Sequence, residues 1–487
     1  MKRTTLAAGL LLATSLTGCV YFPEAFGLMP EEAETAAAPP PAEEPEPAPL
    51  EVIVHSGDFA EIQQFTTPGG ASVWLVSEPS IPILSLQMAW KGGEAADPEG
   101  LEGLADAVTY HMNEGAGDLD SLGFQTRMED LNMSFGCQAS NDWTSCSASM
   151  LTENDDEAMS LIATAFDDPR FDEGPFERFR REQQVSLNTR ETNPGYLAWR
   201  AMSQALYPDH PYARTKTEES IAALTPELAK EQMRKLMVKD RLLVTAVGAV
   251  TPEELAPMID EVIAGLPETS ELPVTPDIAL PELEPADPTV VDLPQPQTLV
   301  QFTGPGLKRT DPDFFPAYVL NYTLGGGGFE SRLMQTLRVQ QGLTYGIYTG
   351  LSYGEHLQTW GGGGQTKNES AGAFINGIKD ELQQFVDDGV TEEELDDAKA
   401  YLTGSYPLGF DSNAKIAGQM MGVRQDEMGI DYFDRRNEMV RAVTLDDVNR
   451  VAKAYLDPEK FLFVAVGQPE GITAEEYESE GEVAPAE

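Results

Sequence analysis

The chain has 487 residues, of which 41% are hydrophobic, enough for two cores of ordinary domain size. It carries 32 Lys and Arg against 81 Asp and Glu, which gives a formal net charge of −49. A surface this acidic repels phosphate groups, so the composition argues against nucleic-acid binding and against membrane docking through basic residues.

The N-terminal segment has the pattern of a bacterial lipoprotein signal. Lys2 and Arg3 precede an apolar stretch over residues 4–16 that is too short to span a membrane. Leu16-Thr17-Gly18-Cys19 then fits a lipobox, so residues 1–19 are predicted to be a lipoprotein signal peptide and Cys19 to carry the lipid. No Asp follows the cysteine, so we expect an anchor at the periplasmic face of the outer membrane. A plain secretory signal that contains a cysteine is the alternative.

Composition divides the rest of the chain into two patterned bodies separated by segments rich in Pro and acidic residues. The predicted divisions are a Pro/Glu-rich tether over 20–51, an N-terminal domain over 52–267, a linker over 268–296, a C-terminal domain over 297–470 and an acidic tail over 471–487. The tether buries too little apolar surface to order itself, so we expect it to be extended.

Helical periodicity predicts seven clear helices across the two domains, besides the two that follow Thr225 and Thr444 and are described below. They cover Leu101–Asn113, Asp155–Phe166, Phe176–Arg190, Pro194–Leu206, Ser331–Gln340, Ala371–Asp388 and Glu392–Tyr406. Hairpin-like strand pairs occur among these helices, which favours an α+β fold over a doubly wound parallel sheet. Each domain is therefore predicted to contain a mostly antiparallel or mixed sheet with helices packed on one side.

One predicted hairpin contains two of the three cysteines. It spans Asn132 to Leu151, with Asn141-Asp142 at the turn. Pairing outward from that turn places Cys137 opposite Cys146 at a non-hydrogen-bonded position, where the Cα atoms are close enough for a bridge. Because an exported protein meets an oxidising compartment, we predict a disulfide; two buried free thiols are the alternative.

Two well-separated stretches of the chain share one plan. Thr225 and Thr444 each precede a predicted helix and have an acidic residue two positions on, which suits a helix N-terminus. A strand that ends in glycine follows each helix, at Gly248 and Gly467, after the same number of residues. The shared spacing indicates that the two domains are copies of one unit.

The run Gly103-Leu104-Ala105 and the helix it opens resemble the zinc-site region of insulinase-type (pitrilysin-type) peptidases. In that family the helix carries the inverted motif H-x-x-E-H, whose two His bind Zn²⁺ while the Glu activates the bound water. Aligned without gaps, the three motif positions fall on Asp106, Thr109 and Tyr110. None of these can serve as the original ligand or base, so the zinc motif is degenerate.

The remaining candidate ligands do not rebuild a metal site. The family's distal Glu ligand corresponds to a position near Glu182, a possible remnant, but one carboxylate does not make a zinc site. No two of the four His residues have ligand spacing on a helix. The resemblance therefore implies no catalytic residue, no metal and no cofactor in this chain.

The C-terminal domain opens with a glycine-rich pattern that resembles the same family. The pattern consists of Asn321 to Gly328, Ser331-Arg332-Leu333, Leu337-Arg338 and Gly342-Leu343-Thr344-Tyr345. The resemblance implies that Arg338 and Tyr345 bind peptide across the cavity of a two-domain clamshell. The alternative is a solvated helical Arg and a core Tyr. The later run Gly361–Gly364 is predicted to be a turn at the end of a strand.

In this family some bacteria divide the work between two chains, one with zinc and one with the Arg/Tyr pair. This sequence resembles the second kind, which implies a non-catalytic subunit of a periplasmic heterodimeric zinc peptidase that clamps peptide for a homologous partner carrying H-x-x-E-H. The zinc would belong to the partner. A stand-alone peptide-binding or scaffold lipoprotein is the first alternative, and an active metallopeptidase with atypical ligands is the second. The sequence leaves open whether the chain forms a homodimer or a heterodimer.

Overall fold

The computed structural model describes residues 50–57, 59–283, 287–472 and 475–476. The predicted signal peptide, Cys19, and most of the tether and acidic tail lie outside these residues. Within the described part of the chain, no helix combines the length and the apolar character needed to cross a membrane. The described residues form two lobes, each with one β-sheet, so the predicted α+β class with two domains is confirmed.

The described residues of the N-terminal lobe form seven strands and eight α-helices. The strands are β1 (Val52–Ser56), β2 (Glu61–Thr66), β3 (Ser72–Ser77), β4 (Ile83–Lys91), β5 (Ser134–Ala139), β6 (Trp143–Leu151) and β7 (Leu242–Gly248). The helices are α1 (Leu104–His111), α2 (Ser121–Asp130), α3 (Asp155–Asp167), α4 (Glu173–Arg190), α5 (Pro194–Leu206), α6 (Glu218–Ala223), α7 (Pro226–Leu236) and α8 (Pro252–Ile263). The sheet order is β1-β2-β3-β7-β4-β6-β5, in which β3 and β7 pair in parallel and the other neighbours are antiparallel.

The C-terminal lobe repeats this plan with a smaller sheet. Its strands are β8 (Thr289–Asp292), β9 (Gln297–Pro305), β10 (Thr344–Tyr353), β11 (Gln358–Lys367), β12 (Leu462–Gly467) and β13 (Glu475–Glu476). Its α-helices are α9 (Phe314–Asn321), α10 (Ala371–Asp387), α11 (Glu392–Gly404), α12 (Asn413–Gln425), α13 (Tyr432–Ala442) and α14 (Leu445–Tyr455). Two π-helical segments, Tyr322–Gly326 and Met334–Gln340, connect α9 to β10. The sheet order is β10-β11-β9-β12-β8-β13.

The predicted duplication is visible in equivalent elements. Helices α7 and α14 both have 11 residues and are capped by Thr225 and Thr444, whose side chains accept a backbone N–H. Helices α5 and α12 both have 13 residues, and they are separated along the chain by the same interval as α7 and α14. The two lobes are therefore copies of one structural unit.

Each lobe places one helix against the sheet of the other lobe. Helix α5 packs its Ala198 and Ala201 on Val464 and Val466 of β12. Helix α12 packs Ala417, with other apolar side chains, on the N-terminal sheet. This exchange covers part of the sheet face that each lobe's own helices leave free, so burying both helices requires both lobes together.

Hydrogen bonds also stabilise the interface between α12 and the N-terminal sheet. The guanidinium of Arg424 donates hydrogen bonds to the carbonyl oxygens of Ser72, at 2.9 Å, and Val244, at 2.6 Å. The hydroxyl of Thr245 donates to the carbonyl oxygen of Ala417 at 2.8 Å. These bonds fix the position of α12 on the N-terminal sheet, and those from the charged guanidinium are stronger than hydrogen bonds between neutral groups.

The cysteine hairpin has the predicted register. Strands β5 and β6 pair Cys137 with Cys146, Gln138 with Ser145 and Ala139 with Thr144. The structure joins the two cysteines in a disulfide, with their Cα atoms 4.0 Å apart. The bridge lies in the last pair of strands at one edge of the N-terminal sheet.

The predicted linker ends in a strand. Strand β8 lies inside the segment 268–296 and pairs in parallel with β12, Thr289 opposite Val464. The β-branched residues of β8 favour an extended strand even between prolines. The last part of the predicted linker therefore belongs to the C-terminal sheet.

The prediction of a turn at Gly361–Gly364 was wrong. These glycines lie inside β11, which pairs with β10 on one side and β9 on the other. A Cβ atom built on Gly363 would lie 2.6 Å from the carbonyl oxygen of Val300 in β9. A glycine run suggests a turn from sequence alone, but here it permits close approach of neighbouring backbones within a sheet.

Candidate functional site

Helix α1, which carries the three degenerate motif positions, is held by a buried carboxylate at its N-terminus. Gly103 precedes the helix at φ +100°, a conformation that favours glycine. The side chain of Asp97 accepts hydrogen bonds from the backbone N–H groups of Gly103, Leu104 and Ala105 at 2.9–3.0 Å. A carboxylate in this position satisfies otherwise unpaired N–H groups and complements the helix dipole. The helix is shorter than predicted, but the motif positions lie within it.

Asp106, at the first motif position, is paired with a cation. Its carboxylate accepts a hydrogen bond from the ammonium of Lys216, and the same ammonium lies 3.9 Å from Glu94. Burial and the neighbouring Asp106 carboxylate raise the pKa of Glu94 to about 7, whereas Lys216 acts in the opposite direction. Two carboxylates therefore share one ammonium at this end of the site.

Thr109, at the position of the catalytic Glu, cannot activate a water molecule. Its side chain is buried, and its hydroxyl donates to the carbonyl oxygens of Ala105 and Asp106, both at 3.2 Å. A hydroxyl engaged with its own helix and lacking an adjacent base cannot act as a general base. Thr109 therefore has a packing role in helix α1 and no catalytic role.

Tyr110, at the second motif His position, contacts the second cation of the site. The Nε of Arg178 donates to the Tyr110 hydroxyl at 3.0 Å, and another nitrogen of Arg178 pairs with Glu114. The hydroxyl also interacts with Glu182, the predicted remnant ligand, which lies one turn along α4 from Arg178. Burial raises the pKa of Tyr110, so the phenol stays protonated at neutral pH.

These residues do not fit a zinc ion. A catalytic zinc site needs three converging donors from His, Glu, Asp or Cys and one open position. Among the described residues, no group of three or more His, Cys, Asp or Glu side chains is arranged to hold a metal ion. The side chains at the first and third motif positions contact Lys216 and Arg178 instead. The geometry agrees with the degenerate motif.

A second candidate site lies around Tyr345 on the C-terminal lobe. Tyr345 is 81% exposed, so it is not the core aromatic of the alternative interpretation. It borders an open groove of about 700 Å³. The groove is lined by the glycine loop, the start of β10 and neighbouring strands, including Gly325, Gly326, Gly328, Met334, Tyr345, Tyr348 and Gln365.

Arg338 lies on a π-helical segment whose first residue, Met334, lines this groove. Sequence periodicity predicted an ordinary helix over Ser331–Gln340, whereas Met334–Gln340 is π-helical. The guanidinium of Arg338 stacks on the exposed ring of Phe329, 4.3 Å from its centroid. Because π-helical turns are rare and occur frequently at functional sites, this conformation makes the segment a candidate functional site.

The prediction that Tyr345 faces the cavity between the two lobes was wrong. That cavity, of about 820 Å³, is bordered by the opposite end of β10, from Leu351 to Tyr353, and Tyr345 and Arg338 are not among its described lining residues. Tyr345 lies near the start of the strand, eight residues from Tyr353, which corresponds to roughly 25 Å at about 3.3 Å per residue. The described lining of the Tyr345 groove comes from the C-terminal lobe alone.

The register of the C-terminal sheet shows which of its faces carries the groove. Tyr348 lies opposite Gly363, and Gly363 lies opposite Gln301. Gln301 in turn lies opposite Val464, which contacts α5. Because directly paired residues point to the same side of a sheet, Tyr348 shares a face with α5. The groove therefore lies beside the sheet edge made by β10, on the face that α5 covers only in part.

Sequence reasoning missed the residues that complete both sites. Lys216 is far from Asp106 along the chain, so no local pattern connects them. Arg178 had a signal, because it lies one helical turn from Glu182 and must share its face of α4. Phe329 and Tyr348 are exposed aromatic residues beside the predicted pair, a feature that only the folded chain shows.

The fold and the two sites define a class of protein: a two-lobed zinc-peptidase scaffold whose metal motif has been replaced. Comparison with known families agrees with this class. A family model described as "Insulinase (Peptidase family M16)" matches residues 72–219, and one described as "Peptidase M16 inactive domain" matches residues 223–402.

Individual relatives support the same assignment. The chain is 25% identical over 392 residues to the "Non-peptidase homolog YmxG" of Helicobacter pylori, covering 79% of this chain and 89% of the relative. A crystal structure of a peptidase M16 inactive domain from Pseudomonas fluorescens matches with a TM-score of 0.77 and 26% identity, over 84% of this chain and 98% of that one. The periplasmic protease PqqL from Escherichia coli shares the fold, with a TM-score of 0.74 and 17% identity over 88% of this chain and 47% of PqqL.

This chain belongs to the insulinase family, peptidase family M16, as an inactive homologue. The predicted clamshell of two homologous domains is the architecture of that family and is confirmed.

Proposed function

We propose that this chain is the non-catalytic subunit of a periplasmic heterodimeric zinc peptidase, and that it binds peptide for a homologous catalytic partner. One observation carries the proposal: the first and third zinc-motif positions contact cations, while the Tyr345 groove is open and bordered by exposed aromatic side chains. A subunit that binds substrate without cleaving it needs no catalytic site, but it needs a groove with side chains that can contact a peptide.

The groove has the chemistry to bind an extended peptide. Its described lining residues carry no charge, although 23% of the chain is charged. Gly325 packs closely on β10, since a Cβ there would lie 2.6 Å from the Thr349 hydroxyl. Gly326 and Gly328 line the groove without side chains, so a ligand can approach the backbone of the loop. Within the lining, Tyr345 offers an aromatic surface and a hydroxyl. Outside the described lining, on the π-helical segment that contributes Met334, Arg338 has a guanidinium that can pair with two carbonyl oxygens of a peptide. An uncharged segment of peptide suits this groove better than a basic or acidic one.

The partner provides the direct test. Affinity purification of the chain from native membranes is expected to recover a homologous chain that carries H-x-x-E-H. The isolated chain should leave peptides intact, whereas the recovered complex should cleave them in a chelator-sensitive way. Recovery of the chain alone, with no related partner under several mild detergents, would contradict the heterodimer and favour a stand-alone scaffold.

The same proposal places the chain on the periplasmic face of the outer membrane through lipid on Cys19. Two or three acyl chains bury enough methylene groups for stable anchoring. Cys19→Ser is expected to move most of the protein from the membrane fraction to the soluble periplasmic fraction and to abolish labelling with a fatty-acid analogue. Thr17→Ser, which changes the same motif but keeps the cysteine, serves as the matched control. Unchanged membrane retention of Cys19→Ser would contradict the lipid anchor.

A further inference from the structure

Two cations border the altered motif, and both come from elements outside α1. Lys216 pairs with Asp106, and its ammonium lies 3.9 Å from Glu94. Arg178, on α4, pairs with Glu114 and donates to the Tyr110 hydroxyl at 3.0 Å. Each end of the motif therefore has its own fixed positive charge.

The surrounding structure holds the Lys216 backbone in place. Arg190 donates a hydrogen bond to the carbonyl oxygen of Lys216. The next residue, Thr217, caps α6 through a reciprocal capping box with Ser220. The ammonium of Lys216 therefore extends from a backbone that is fixed on both sides.

The carboxylates around the motif need these cations. Glu94, Asp106 and Glu114 are largely shielded from water, and Glu182 interacts with the Tyr110 hydroxyl. Acidic groups this close repel one another unless a cation lies between them. The chain has only 32 basic residues for 81 acidic ones, so the placement of two bases at this site is not explained by a surplus of positive charge.

We propose that Arg178 and Lys216 are built-in counter-cations that supply the positive charge a metal ion supplies in a zinc-binding member of the fold. They exclude zinc independently of the missing His ligands. Restoring the ligands alone would then leave a site that still repels a divalent cation. This role belongs to the chain itself and does not depend on a partner.

Electrostatics accounts for the exclusion. A fixed ammonium or guanidinium within a few ångströms of a divalent ion is strongly repulsive in a partly buried site. Each cation also occupies carboxylate lone pairs that could otherwise accept hydrogen bonds from zinc ligands and orient them. Loss of such supporting hydrogen bonds changes metal affinity by about 10- to 100-fold.

The test begins by restoring the motif with Asp106→His, Thr109→Glu and Tyr110→His. Zinc stoichiometry and affinity are measured by equilibrium dialysis and by competition with a chromophoric chelator. The restored motif alone is expected to retain no stoichiometric zinc. Adding Arg178→Leu and Lys216→Met to it is expected to give one zinc per chain and an affinity at least about 100-fold higher.

A matched control removes two cations elsewhere. Arg127→Leu and Lys235→Met break exposed ion pairs with Glu157 and Glu231 on the same lobe. In the restored-motif background these two changes should leave zinc binding undetectable. Stoichiometric zinc in the restored motif alone overturns the proposal, and so does a folded five-substitution variant that binds none.

A second measurement decides the matter if the five-substitution variant fails to fold. In the native chain, Lys216→Met is expected to lower the melting temperature by several degrees, since it leaves the partly buried Asp106 carboxylate without a cation. Asp106→Asn added to Lys216→Met should recover at least half of that shift, because the unpaired charge is gone. Absence of recovery means that Lys216 does not serve as a counter-cation and overturns the proposal.

Discussion

Replacing Arg424 with alanine is expected to lower the free energy of unfolding by about 2–4 kcal/mol. The guanidinium of Arg424 donates to the carbonyl oxygens of Ser72 and Val244 and to the Ser72 hydroxyl at 2.6–2.9 Å, and it lies over the ring of Trp74. Alanine would remove these hydrogen bonds to part-buried acceptors in the interface between the lobes, and a hydrogen bond to a charged group contributes about 1.5–3 kcal/mol. Burial of the guanidinium lowers its pKa to about 10, so removing this desolvated charge offsets part of the loss.

The measurement is urea unfolding of the native chain and of two variants. Arg435→Ala provides a matched control, because Arg435 is exposed and forms a surface ion pair with Asp431 one turn away. Such pairs contribute about 0.3–0.5 kcal/mol, so this variant should unfold almost as the native chain does. If Arg424→Ala is destabilised no more than Arg435→Ala, the contacts of α12 do not hold the lobes together.

Much of the fold follows from local sequence patterns. The apolar spacing and the Asn193-Pro194 start predict α5 with its observed bounds, since Asn193 caps the helix and Pro suits its first position. The Asn141-Asp142 turn fixes the register that pairs Cys137 with Cys146. The equal spacing from Thr to Gly in the two copies predicts their common helix and strand.

The exchange of helices between the lobes could not be predicted in the same way. An apolar stripe on α5 shows that one face is buried, but it does not show against which sheet. The partners of that stripe, Val464 and Val466, lie in β12, in the other half of the chain. Contacts between a helix of one lobe and a strand of the other depend on the tertiary structure of the whole chain, and a local stretch of sequence does not predict them.

The candidate sites also combine features that local sequence predicts with features that depend on the tertiary structure. The sequence identifies Asp106, Thr109 and Tyr110 as unfit for zinc because ligand chemistry depends on residue type and spacing. It does not identify Lys216 as the partner of Asp106, because that pair forms only when the segment before α6 folds against α1. It also places Tyr345 in the wrong cavity, since the orientation of β10 relative to the two lobes is a tertiary property.

In the complex with its partner, Arg338→Ala is expected to lower kcat/KM for peptide cleavage by about 10- to 100-fold, the range for loss of a group that positions substrate. Tyr345→Phe should have a smaller effect in the same direction, because it removes only a hydroxyl. Neither change should alter stability by more than about 0.5 kcal/mol, since Tyr345 is 81% exposed and Arg338 stacks on an exposed ring.

The division of the loss between kcat and KM distinguishes two forms of the substrate role. A fall in kcat means that Arg338 contacts the peptide mainly in the transition state, whereas a rise in KM alone means uniform binding. Tyr401→Phe is a suitable control for Tyr345→Phe, because Tyr401 is also an exposed tyrosine of the C-terminal lobe but, unlike Tyr345, is not among the described residues that line the groove. All complexes are compared at equal occupancy of the partner, so weaker assembly is not mistaken for slower cleavage. If Arg338→Ala and Tyr345→Phe both match Tyr401→Phe, the groove has no part in catalysis, and a scaffold role that leaves peptide binding to the partner replaces the clamp.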